Sequence, residues 1–137
     1  MKSALRVALV AVAFIGGLLH AQSTSSVTPD SRTFELRTYS TEPGKLEALH
    51  TRFRDHTTAL FEKHGMTNVG YFAPMDKPDT LVYLLAHDSR EAAERSWQAF
   101  RDDPDWQRAF EASREDGRLV ANVESVFLEA TDYSTLK

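Results

Sequence analysis

The chain has 137 residues, 16 Lys and Arg against 20 Asp and Glu, and no cysteine. The acidic balance excludes a basic, phosphate-neutralising surface, so nucleic acid is not an expected partner. The missing cysteine excludes disulfides, thiol catalysis and Cys zinc sites, and leaves stability to packing and association.

Lys2 and Arg6 precede an apolar run from Val7 to Leu19, and Leu19-His20-Ala21-Gln22 places a small residue where a signal peptidase cuts. The run is shorter than the ~20 residues that a membrane-spanning helix needs. Residues 1–21 therefore read as a secretory signal peptide cleaved after Ala21, with retention as an anchor as the other reading. Loss of Lys2 and Arg6 brings the net charge to −6. Residues 22–31 are rich in Ser and Thr and read as a flexible leader. Residues 32–137 form the folded domain. The expected location is secreted or periplasmic, and the mature chain has no expected membrane span.

Thr33–Ser40 alternates with a period of two. Phe34 and Leu36 take one face of a strand, and Glu35, Arg37 and Tyr39 the other. After Pro43-Gly44 the apolar spacing changes to three and four, through Leu46, Leu49, Phe53, His56, Leu60 and His64. That is an amphipathic helix with Glu47, Arg52, Arg54, Asp55 and Lys63 on its polar face, stopped by Gly65. Residues 67–73 read as a second strand and 74–80 as a turn. Leu81–His87 is apolar on both faces, the pattern of a covered central strand. Ser89 caps a helix with Ala93, Trp97 and Phe100 inward, and Asp103-Pro104 interrupts and restarts it. Gly117 ends it, and residues 122–130 make the last strand.

Strand–helix–strand, twice, predicts an α+β, ferredoxin-like βαββαβ protomer with a four-stranded antiparallel sheet whose first and third strands are central. Helices on one side leave the other side bare, so the doubly apolar third strand predicts a homodimer, sheet against sheet.

Four stretches, FELRTYSTEPGKLEAL (34–49), FRDHTTALFEKHG (53–65) followed by VGYFAP, LVYLLAHDSREAAERSWQAFRDDPDWQRAF (81–110) and VESVFL (123–128), resemble the NIPSNAP family of the dimeric α/β barrel superfamily. The resemblance implies a ferredoxin-like protomer and a homodimer whose two sheets form a barrel. It implies no agreed reaction, since relatives in the superfamily include cofactor-free monooxygenases, haem-degrading enzymes and isomerases. The chain departs from the family pattern at His87, where an aromatic residue is expected, and at Tyr83, where His is common.

Two functions follow. One is a homodimer that binds a small apolar or aromatic ligand or a protein partner, without a cofactor. The other is a cofactor-independent monooxygenase or isomerase, with His56 as general base and Arg37 or Tyr39 stabilising developing negative charge. Haem binding, also through His56, is a third. Glu35, Tyr71, Tyr83 and Trp97 are the candidate ligand-binding residues. Glu35, Arg37 and Tyr39 have a structural alternative, an intersubunit network setting dimer register. Trp97 also fits, with Phe100, Trp106 and Phe110, a helical stripe whose ordinary use is core. His64 reads as a helix C-terminal cap. His50 and His56 are six apart, off the i, i+4 spacing of paired ligands, and no metal site is expected.

Overall fold

The computed structural model describes residues 32–137; the expected signal peptide, its cleavage site and the expected leader lie outside the described residues. The elements are β1 (Thr33–Thr41), α1 (Leu46–Arg52), a π-helical turn (Phe53–Thr57), α2 (Thr58–Lys63), β2 (Thr67–Phe72), β3 (Thr80–His87), α3 (Arg90–Asp102), α4 (Pro104–Ala112) and β4 (Val120–Glu129). The sheet order is β2-β3-β1-β4, antiparallel throughout, with β1 and β3 central as the sequence predicts.

The side of β1 that meets the helices is the charged one. Arg37 pairs with Tyr83 across β3 and with Ser125 across β4, and Glu35 pairs with Leu85 and Phe127. Leu81, Tyr83 and Leu85 of that face pack with Leu49, Phe53 and Phe61 of the first helix and Phe100 of α3. The intersubunit network offered as the structural alternative for Glu35, Arg37 and Tyr39 is replaced by an internal one, because their own helices cover that face. The apolar side of β1 lies on the open face of the sheet. There Phe34 and Ala86 pack with Ala130, while Val126 (54% exposed) and Phe72 (60% exposed) are left in solvent.

Two positions on the first helix are also corrected. His56 is exposed and Arg52 is buried, the reverse of the expected stripe. Arg52 precedes the π-turn and faces inward by regular spacing, three residues after Leu49, while the π-turn is the cause for His56. The Thr57 and Thr58 hydroxyls donate to the carbonyls of Arg52 and Phe53, five residues back, each at 3.2 Å. The wider turn shifts the helix phase, so Thr57 takes the inward position that regular spacing assigns to His56.

The caps match the sequence reading. Ser89 Oγ accepts from the Ala92 N–H at 3.0 Å, and Asp103 Oδ1 accepts from the Asp105 N–H at 2.8 Å. Gly65 ends α2 at φ +78°, a conformation that costs other residues strain. Asp103 does more than cap. Its Oδ2 takes Lys63 Nζ at 2.7 Å and His64 Nε2 at 2.6 Å, tying the end of α2 to the start of α4. His64 thus pairs with a carboxylate rather than capping its helix alone. The donors, Lys63 first and then His64 and the Asp105 amide, hold the Asp103 carboxyl well below its ordinary range.

Loss of an N-cap of this kind lowers the melting temperature by about 5 °C. Asp103→Ala is expected to fall at least that far in a thermal melt followed by circular dichroism, and Asp103→Asn to recover part of the loss.

Candidate functional site

Glu35 is the centre of the polar cluster under α3. It is 1% exposed. Its Oε1 accepts from Arg37 Nη1 at 2.6 Å and from Ser125 Oγ at 2.7 Å. Its Oε2 accepts from Trp97 Nε1 at 2.7 Å and from His87 Nε2 at 3.0 Å. Each donor comes from a different place: the neighbouring inward position of β1, then β4, α3 and β3. Burial alone raises a carboxyl pKa, but the bonds from His87, Ser125, Trp97 and Arg37 reverse it and hold Glu35 at about 2, against 4.5 ordinarily. Arg37 also lies over the Trp97 ring, its Cζ 4.2 Å from the ring centroid, and reaches the Tyr39 hydroxyl at 3.4 Å. The paired carboxylate and the tyrosines keep Arg37 protonated despite its burial.

An aromatic wall runs from this cluster along the sheet. Tyr39 and Tyr71 flank Tyr83 at 5.3 and 5.4 Å between ring centroids, and Phe53 of the π-turn lies 5.3 Å from it. Among the described residues the buried Tyr83 hydroxyl has no hydrogen-bond partner, and its pKa is pushed up by burial and by Tyr39, with Arg37 opposing. Burial also raises Tyr71, whose hydroxyl donates to the Asn68 side chain.

Beyond Tyr39 the wall opens into a cleft of about 250 Å³ between the β1–β4 side of the sheet and the helices. Tyr39, Phe53, Trp106 and Phe110 give it an aromatic lining, Thr57 contributes a hydroxyl, and Val123 stands at its rim. Arg52, Arg114 and Arg118 bring three guanidinium groups to it.

Of the residues singled out from the sequence, the structure brings together Glu35, Arg37, Tyr39, Tyr71, Tyr83 and Trp97. His56 stands apart. It lines a separate groove between α1 and α4, with Thr51, Ala109 and Ser113. Arg52, Arg114, Arg118 and Ser125 are not among the site candidates that the sequence suggests. Arg52 lies three residues after Leu49, so regular helical spacing already turns it inward, and only its charge argues for the polar face. Ser125 sits in a segment with no strong alternation. His87 was noticed as a departure from the family pattern, and the structure makes it a donor to Glu35.

Breaking a buried ion pair by removing one partner costs about 3–5 kcal/mol. Glu35→Gln is expected to lose about that much stability at pH 7 in urea unfolding. The folded pKa is depressed, so this contribution is present above pH 4.5 and is lost as pH falls toward about 2. The gap between wild type and variant is expected to close over that interval.

The fold is similar to solved structures of known families. A NIPSNAP family protein of unknown function from Agrobacterium tumefaciens superimposes with a TM-score of 0.72 at 20% identity, over 81% of this chain and 98% of that one. An uncharacterised NIPSNAP-like domain protein from Burkholderia xenovorans gives 0.67 at 18% identity, over 77% and 90% of the two chains. A putative antibiotic biosynthesis monooxygenase from Chloroflexus aurantiacus gives 0.54 at 18% identity, over 78% and 100%. At these identities the likeness is one of fold. No curated protein matches the chain. The NIPSNAP family model matches residues 34–135, nearly the whole described domain, and the chain belongs to the NIPSNAP family.

Proposed function

We propose that this protein binds a small aromatic or apolar molecule in the cleft between its sheet and its helices, and does so as an exported homodimer. The observation that supports binding is the aromatic lining of the cleft, beside a polar cluster whose carboxylate is already saturated with donors. Pockets of this make-up, mostly apolar with a few fixed polar groups, are the usual form of small-molecule sites. Residues 1–21 support export by their basic start and short apolar run.

The dimer is supported by the open face of the sheet. Leu36, Val82 and Leu84 of the central strands and Val126 and Leu128 of β4 line it, with no helix over them. A second copy of the same face is the economical cover. Catalysis of the cofactor-independent monooxygenase or isomerase kind requires a base at the cleft. His56, the base that the sequence suggests, faces the other groove.

Indole is a suitable probe of the cleft. Isothermal titration with indole is expected to show saturable binding in the wild type and in His56→Ala, and to lose it in Val123→Trp, which fills the rim. Absence of saturable binding in the wild type contradicts the reading. Sedimentation is expected to show two chains per particle at micromolar concentration, and a folded single chain for Val126→Asp.

A further inference from the structure

Among the described residues, two of the three guanidinium groups at the cleft have no carboxylate counter-charge. Arg118 is neutralised by Glu42, to which its Nε donates at 2.9 Å. Arg52 is 4% exposed, and its side-chain bond is from Nη1 to Ser113 Oγ at 3.1 Å, leaving the buried Nε without an acceptor. Arg114 likewise has a buried Nε without an acceptor. Among the described residues no carboxylate lies within ion-pair distance of either. Aromatic rings hold both in place. Arg52 Cζ is 5.2 Å from the Trp106 centroid and 5.4 Å from that of Phe110, and Arg114 Cζ is 4.7 Å from Phe110 on the same ring system.

This is an unusual way to bury charge. Stacking fixes a guanidinium plane but does not neutralise it, and a buried arginine ordinarily comes with a carboxylate. Burial lowers the Arg52 pKa, the nearby tyrosines oppose this, and the Arg114 charge adds to the lowering. An anion entering the cleft supplies the missing counter-charge and offsets the repulsion between the two guanidinium groups. Guanidinium forks match a carboxylate in two-point geometry. Size sets the rest of the molecule. An apolar cavity of about 150 Å³ holds benzene. The 250 Å³ here takes one ring and an acidic side arm.

We propose that the cleft recognises a small aromatic carboxylic acid, with its carboxylate held by Arg52 and Arg114 and its ring among Tyr39, Trp106 and Phe110. This rests on the cleft being the ligand site and adds the charge of the ligand. The arginines act here as binding residues, and no chemical step is assigned to them.

The test compares benzoate and phenylacetate with benzamide, the neutral isostere, by isothermal titration of the full chain at pH 7. The acids are expected to bind at least about tenfold more tightly than the amide, as charge-assisted bonds to two guanidiniums require. Arg52→Met and Arg114→Gln are each expected to cut that preference severalfold while benzamide binding changes little. Benzamide binding as tightly as benzoate overturns the inference and leaves the cleft as a neutral aromatic site. Binding of none of the three, together with no indole binding, overturns the cleft itself. A preference that survives both substitutions makes the arginines structural and also overturns it. Should Arg52→Met fail to fold, Arg114→Gln and the wild-type preference still decide the matter.

Discussion

The interaction on which the rest of the molecule depends is the burial of one carboxylate, Glu35, beneath α3. A charge in that position is tolerable only when every lone pair is used, and here four donors use them. Those donors sit on β1, β3, β4 and α3, so the cluster fixes how the central strands and the second long helix meet. It also decides which way β1 faces. With Glu35, Arg37 and Tyr39 turned toward the helices, Phe34 and Leu36 must take the other side, and the open face of the sheet becomes apolar. The surface proposed for association is thus a consequence of the polarity chosen for the interior.

The aromatic wall links this cluster to the cleft. Tyr39 belongs to both: its hydroxyl receives Arg37, and its ring lines the cavity. At the near end the guanidinium is paired with a carboxylate; at the far end Arg52 and Arg114 are not. That contrast within one layer separates architecture from function. Arg37 is matched by Glu35 and completes the fold, whereas the unmatched pair is supported by rings and leaves its charge for something else. The π-turn belongs to the same design. One wider turn, locked by two threonine hydroxyls, sets Arg52, Phe53 and Thr57 together on the cleft side.

The elements were legible because their ends carry strong local chemistry. Ser89, Asp103-Pro104 and Gly65 mark helix boundaries by mechanisms that work within a few residues, and the structure uses each of them. The strand order followed from the alternation of elements and from the doubly apolar third strand. The orientation of β1 was not legible, because period-two alternation divides residues between two faces without saying which face is inside. The usual assumption, polar side outward, fails here since the polar side is internally satisfied by residues as distant in sequence as Trp97 and Ser125. The place of His56 has a different origin. A single-residue widening of a helix leaves no compositional mark, yet it rotates every later side chain. Arg52 precedes the widening; its inward place three residues after Leu49 is masked by its charge, which ordinarily marks a solvated face.

The ionisation of Glu35 tests this picture most directly. Carbon-13 NMR of the side-chain carboxyl, followed with the Trp97 indole proton, reads both the charge and its partner. A carboxyl that stays ionised to a pH of about 2, with the indole proton protected and shifting at the same midpoint, is the predicted result. Titration near the ordinary glutamate value of 4.5, with the indole exchanging freely with water, would contradict it.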